Sequence, residues 1–199
     1  MSQTTEEISQ KNSSRTLIKR LVRVAISAAI ICVCAPFSIP IGPVPISLAT
    51  FAVYLISLIL PFTDSTLAVL VYVALGAVGV PVFSGFMGGF GRIIGVTGGY
   101  IIGYIPCALI TSLIARLGKE KKLSPFFDAV GMIAGTLVLY ALGTAWFCIQ
   151  TSNPVGSALS LCVIPFLPGD AAKMVLAALL AAALRPALRR AGVLETSQT

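Results

Sequence analysis

Residues 126–150 read FFDAVGMIAGTLVLYALGTAWFCIQ, a run in which Asp128 is the single charged side chain. A helix on the surface of a soluble protein carries an apolar stripe and a polar face. This run is apolar on every face. About 20 such residues cross the hydrocarbon core of a bilayer, so the segment reads as a transmembrane helix. Ser124, Pro125 and Asp128 resemble its start, with the acid in the first turn where the helix dipole favours it.

Comparable runs lie at about 17–35, 46–60, 65–80, 93–117 and 169–184. None shows the short alternation of a membrane barrel. The expected fold class is therefore an all-α membrane protein, a compact bundle of six transmembrane helices. The runs at 46–60 and 65–80 are short for spans, and a re-entrant hairpin is the alternative; both return the chain to the side it left. Pro61 to Asp64 separate them, and Asp64 or Ser65 is placed to cap the third helix.

Composition agrees. The chain of 199 residues is 57% hydrophobic and 11% charged, with a mean hydropathy of +0.97, whereas soluble domains carry about 25% charged residues. Six spans and short loops consume nearly all of it and leave no room for a soluble enzymatic domain. The expected organisation is a disordered cytoplasmic tail over 1–16, too polar to pack, a membrane domain over 17–190, and a C-terminal cytoplasmic tail over 191–199. The sequence has five cysteines and no histidine, without zinc-ligand spacing or a Cys/His catalytic pair. The cysteines read as small packing residues, with a Cys32–Cys34 disulfide open but not required.

Charge placement sets the orientation. A cleavable signal peptide is an alternative for Lys19, Arg20 and Arg23 followed by the apolar Val24 to Ala35, and would leave five spans. Against it, twelve of the fourteen basic residues share one side of a six-span arrangement. They are Lys11, Arg15, Lys19, Arg20 and Arg23, then Arg116, Lys119, Lys121 and Lys122, then Arg185, Arg189 and Arg190. By the positive-inside rule that side is the cytoplasm, which places both ends there and the protein in the cytoplasmic membrane. The net charge of +7 thus reflects topology, not a nucleic-acid partner.

Arg92 and Lys173 break the pattern. They fall with Asp170 near outer loops that are almost uncharged and rich in Gly and Pro: 36–45, 81–92 and 151–168. The prolines of 36–45 fix the backbone without helix, giving a stiff apolar loop able to cover a pocket. Asp170 and Lys173 share a face of the last helix's first turn. An acid there suits the dipole, but a lysine does not. One reading has Asp170 as a cap and Lys173 pairing with it or snorkelling; the other has Asp170, Lys173 and Arg92 lining a pocket, as intramembrane ionisable residues generally do. Together they offer an acceptor and two cationic donors to a small, polar, anionic ligand. Trp146, Tyr100 and Tyr104 read as packing or interfacial aromatics, and Ala25 and Ala29 put small residues one turn apart on the first helix. There is no Walker A pattern, so ATP hydrolysis is not expected of this chain.

Four motifs in order, Ile39 to Ile46, Gly76 to Phe83, Thr97 to Tyr100, and Pro165 to Asp170 continuing to Lys173, resemble the BioY family. Its members are the substrate-binding (S) components of energy-coupling factor (ECF) importers for biotin. The resemblance runs from about Leu17 to Arg190. It implies a compact six-helix fold, a transport protein with no catalytic residues, no metal and no cofactor, and biotin as the transported ligand. It implies ligand contacts from Asp170 and Lys173, from the loop of Gly89, Gly91 and Arg92, from Gly98, Gly99 and Tyr100, and from Phe83. It further implies that Ala25 and Ala29 dock onto a transmembrane coupling subunit driven by two ATPase subunits. Three positions depart from the family's usual pattern: Ala49 where Gln is common, Val96 where Pro is common, and the charge at Arg92. Alternatives are an S component for another vitamin or a biotin analogue, a solitary biotin transporter, and an intramembrane enzyme using Asp170 and Lys173.

Overall fold

The computed structural model describes residues 2–118 and 124–191, with backbone alone over 2–13 and at Arg15. Lys119, Lys121 and Lys122 of the charge asymmetry, and residues 192–199 of the expected C-terminal tail, lie outside the described residues. The first helix, α1, runs Ser2–Cys34, and a two-residue hairpin, β1 (Ser38–Ile39) with β2 (Ile46–Ser47), follows. Then come α2 (Ala49–Ile59), α3 (Phe62–Ala77), the short α4 (Phe90–Ile94), α5 (Gly98–Leu117) and α6 (Ser124–Thr151). The chain closes with α7 (Val155–Cys162), a 3-10 turn over Ile164–Phe166, and α8 (Leu167–Arg190).

The protein is predominantly helical, and among the described residues three segments are long and apolar enough to cross a membrane: Gly98–Leu117, Ser124–Thr151 and Val155–Arg190. The apolar α2 and α3 are shorter, roughly 16 and 24 Å at 1.5 Å per residue, against a hydrocarbon core of about 30 Å. Helix extends back to Ser2, where a disordered tail was expected. Elongating an existing helix needs no new nucleus, and Glu6, Glu7, Gln10 and Lys11 are good helix formers.

α5 packs closely against α6, and glycine makes this possible. A Cβ on Gly131 would lie 2.7 Å from the Thr111 carbonyl oxygen, one on Gly135 2.8 Å from that of Cys107, and one on Gly99 2.8 Å from that of Leu142. These backbones touch only because no side chain intervenes. Tyr54, Tyr72, Leu139 and Phe147 fill the core around them.

The two acids assigned to helix starts have other work. No side-chain bond caps α3, whose N-cap is Pro61. Asp64 is instead 1% exposed and accepts from Arg20 Nε at 2.8 Å and Arg23 Nη2 at 2.7 Å, tying α1 to α3. Asp128 takes two bonds from Arg185, 2.7 Å from Nη1 and 2.9 Å from Nη2, tying α6 to α8. Burial is the reason, because a carboxylate removed from water needs a cation more than a helix start needs a cap. The five cysteines are free, Cys32 and Cys34 included.

Candidate functional site

Pro165 and Pro168 shape the 3-10 turn that feeds α8, and Asp170 falls in the first turn of that helix at 4% exposure. A carboxylate so buried needs donors, and three side chains supply them. Thr50 Oγ1 on α2 donates to Oδ1 at 3.2 Å, Lys173 Nζ to the same oxygen at 2.9 Å, and the Tyr140 hydroxyl on α6 to Oδ2 at 2.6 Å. Lys173 is itself saturated. Besides Asp170, its ammonium reaches the Ser47 carbonyl at 2.8 Å and Thr50 Oγ1 at 3.1 Å. A lysine in a first turn, disfavoured by the dipole, is thereby held by three oxygens. Four elements meet at this cluster: β2, α2, α6 and α8.

An ionised carboxylate has about four acceptor positions. Three are taken, two on Oδ1 and one on Oδ2, so the position left for a ligand's N–H is on Oδ2.

The cluster lies at the wall of the first of two neighbouring pockets, lobes that share wall residues. The first is lined by Asp170, Lys173, Thr50 and Tyr140 together with Leu139 and Phe166. The second is bounded by Tyr72, Phe83, Ser84, Arg92 and Thr97. Val44, Pro45, Tyr100 and Tyr104 line both lobes. The β1–β2 hairpin brings Val44 to Ser47 onto the cavity, and Gly85 N–H donates to the Pro36 carbonyl at 2.9 Å, holding the hairpin to the neighbouring turn.

Arg92 differs from Lys173. It lies on α4, which starts at Gly89, a residue in the left-handed region at φ 96° that side chains other than glycine rarely enter. Its side chain is part-buried in the second lobe, and among the described residues its guanidinium makes no hydrogen bond or ion pair. A cation in such a place is ready for an anion.

Of the site residues read from sequence, Asp170, Lys173 and Tyr100 meet in the first lobe, and Arg92, Phe83 and Tyr100 in the second. Phe83 is 2% exposed and stacks edge-on against Tyr72 with centroids 5.6 Å apart. Gly89 and Gly91 shape the α4 loop without lining either lobe. Gly98 and Gly99 also stay off the cavity wall; they lie under Trp146, whose Nε1 donates to the Gly95 carbonyl at 2.9 Å. Ala25 and Ala29 are exposed on α1. The sequence reading passed over Ser47, Thr50 and Tyr140, and placed Tyr104 among packing aromatics. A tyrosine in the middle of an apolar span is the signal that points to Tyr140, since a buried phenol seeks a partner.

The sequence profile of the BioY family matches residues 4–190. A biotin transporter BioY of Thermotoga maritima is 39% identical over 168 residues, 84% of this chain and 96% of that protein. Biotin transporter BioY2 of Lactococcus lactis subsp. cremoris is 34% identical over 173 residues, 87% and 93% of the two chains. Among solved structures, the S-component for biotin from an ECF-type ABC transporter superposes with a TM-score of 0.78 at 27% identity, covering 86% of this chain and 93% of that one.

Proposed function

The chain belongs to the BioY family, and from that premise we propose that it captures biotin at the outer face of the cytoplasmic membrane, as the S component of an ECF-type importer. The observation that carries the reading is a pair of polar poles in neighbouring lobes that share apolar and aromatic walls: a carboxylate with one open acceptor position at Asp170, and at Arg92 a guanidinium without a partner among the described residues. Biotin has matching parts, a ureido ring with two N–H groups and a carbonyl, an apolar bicycle, and a side chain ending in a carboxylate. One ureido N–H goes to Asp170 Oδ2, and the carbonyl accepts from Lys173 as that ammonium trades one of its present oxygens. The bicycle packs among Tyr100, Tyr104, Leu139 and Phe166, and the carboxylate reaches Arg92. Binding energy then rests on charge-assisted bonds at both ends, each about 1.5–3 kcal/mol.

The membrane arrangement follows the same reading. Six helices, α1, α2, α3, α5, α6 and α8, form the bundle, with α2 and α3 as short spans. The pocket faces outward, and Arg20, Arg23, Arg116 and Arg185 mark the cytoplasmic end, as the positive-inside rule supports. Ala25 and Ala29 on the exposed side of α1 form the docking face for the coupling subunit, and ATP hydrolysis belongs to the two ATPase partners.

The test is uptake of radiolabelled biotin by cells lacking their own biotin transport. Expression with the ECF coupling and ATPase subunits gives accumulation that excess unlabelled biotin suppresses. Equal accumulation without those subunits would contradict the S-component role, and none in either case would contradict biotin as the substrate.

A further inference from the structure

Two side chains of α6 take hold of the end of α4. Gln150 Nε2 donates to the Ile94 carbonyl at 2.6 Å, and Trp146 Nε1 to the Gly95 carbonyl at 2.9 Å. The two are four residues apart and project from one face of α6, so they meet consecutive carbonyls of the segment that closes α4. Those carbonyls need partners, because the last turn of a helix leaves its C=O groups without intrahelical donors. The Gly95 oxygen also accepts from the Gly98 N–H at 2.9 Å, so one atom fixes both the latch and the turn into α5. The start of α4 is tied as well, by the Gly89 N–H to the Gly76 carbonyl at 2.7 Å. Neither Trp146 nor Gln150 lines either lobe.

What the latch holds is Arg92. α4 has five residues, too few to be stable as an isolated helix, and no bond among the described residues fixes the guanidinium itself. Its place is therefore set through its backbone. The helix that carries the latch also carries Tyr140, whose hydroxyl holds Asp170 at 2.6 Å. Trp146 and Gln150 lie roughly 9 and 15 Å beyond Tyr140 along α6, at 1.5 Å per residue. α6 is in turn pinned to α8 through Asp128 and Arg185, and to α5 by the close glycine contacts. We propose that Trp146 and Gln150 are positioning residues that hold Arg92 at a fixed distance from Asp170, and that this distance selects anionic ligands by chain length.

This inference rests on the proposed function, in which Asp170 takes the ureido ring and Arg92 the carboxylate. A ligand satisfies both poles only if its chain spans the gap between them, and a charged group left without its partner is costly. A homologue of biotin one methylene shorter falls short of Arg92 as long as the latch keeps α4 in place. With the latch cut, α4 is free to follow the shorter ligand, and the preference for biotin narrows. Two bonds that merely finished a helix end would affect every ligand alike.

The experiment is equilibrium binding to the full chain in detergent, with biotin, its homologue one methylene shorter, and biotin methyl ester as ligands. Trp146→Phe combined with Gln150→Leu removes both donors and keeps apolar bulk. This variant is expected to weaken biotin binding by about tenfold and to leave the shorter acid and the methyl ester within about twofold. The preference for biotin over the shorter acid then falls by about tenfold. In an Arg92→Ala background the same two substitutions are expected to change biotin affinity by less than about twofold, since they act through Arg92. Gln150→Lys, which restores a donor, is expected to keep the preference that Gln150→Leu loses. Equal losses for biotin and its methyl ester, an undiminished preference, or the same loss with and without Arg92 overturn the inference. If the double variant does not fold, Gln150→Leu decides, because Gln150 is exposed: the preference is expected to narrow by about threefold, and an unchanged preference overturns the inference. Unmodified protein that binds no biotin refutes the proposed function, and this inference with it.

Discussion

Asp170 and Lys173 form a buried ion pair at 2.9 Å, with side chains 6% and 12% exposed. Removing one member of such a pair typically costs about 3–5 kcal/mol, because the other charge is left uncompensated. The cost falls at or somewhat below the low end here, since each partner keeps neighbours. After Asp170→Asn, the ammonium still has the Ser47 carbonyl and Thr50; after Lys173→Met, the carboxylate still has Thr50 and Tyr140. Each single variant should therefore lose about 2–3 kcal/mol of stability. The double variant leaves no bare charge and places a volume-matched apolar chain where the lysine stood, so it should lose only about 1–2 kcal/mol. The cycle then gives a coupling energy of about 3 kcal/mol, far above the roughly 0.5 kcal/mol scatter of independent sites. Equilibrium unfolding of all four proteins in the same detergent, without ligand, measures it. Losses that simply add would refute the idea that the two residues are one electrostatic unit.

Arg92→Ala should weaken biotin binding by about 10- to 100-fold, the equivalent of one charge-assisted bond, and leave binding of the biotin methyl ester nearly unchanged in the same titration. Gly99→Val brings a side chain within 2.8 Å of the Leu142 carbonyl and 2.9 Å of the Trp146 ring. Forcing α5 off α6 should cost about 1–3 kcal/mol, read as a lowered Tm in detergent. Ala25→Leu with Ala29→Leu should leave biotin affinity intact and abolish co-purification with the coupling subunit, because bulk replaces the small surface where a partner helix approaches.

Much of the candidate site was legible because charge inside an apolar chain is expensive and therefore conspicuous. Asp170, Lys173 and Arg92 announce themselves that way. Thr50 does not, since one small hydroxyl in an apolar run looks the same whether it faces lipid or core, and Tyr140 signals by its place in mid-span only that its phenol has a partner, not which one. Glycine was legible as a need for space but not for its purpose: Gly98 and Gly99 make room for Trp146, away from the cavity wall. Asp64 and Asp128 are near helix starts, and only tertiary packing reveals that arginines from other helices claim them. Arg185 shows the same limit from the cationic side, since its position in the chain does not say whether it turns to water or inward. In the fold, helix type followed from polarity, whereas the lengths of α2 and α3 depend on where loops turn, which polarity alone does not fix.

Equilibrium titration of biotin into the purified, detergent-solubilised protein, beside Asp170→Asn and Lys173→Ala, tests the central claim most directly. Saturable binding by the unmodified protein, weakened by about 100-fold or more in both variants, is the predicted result; roughly 3 kcal/mol corresponds to that factor. Folded protein that binds no biotin, or variants that bind it as tightly as the unmodified chain, would contradict it.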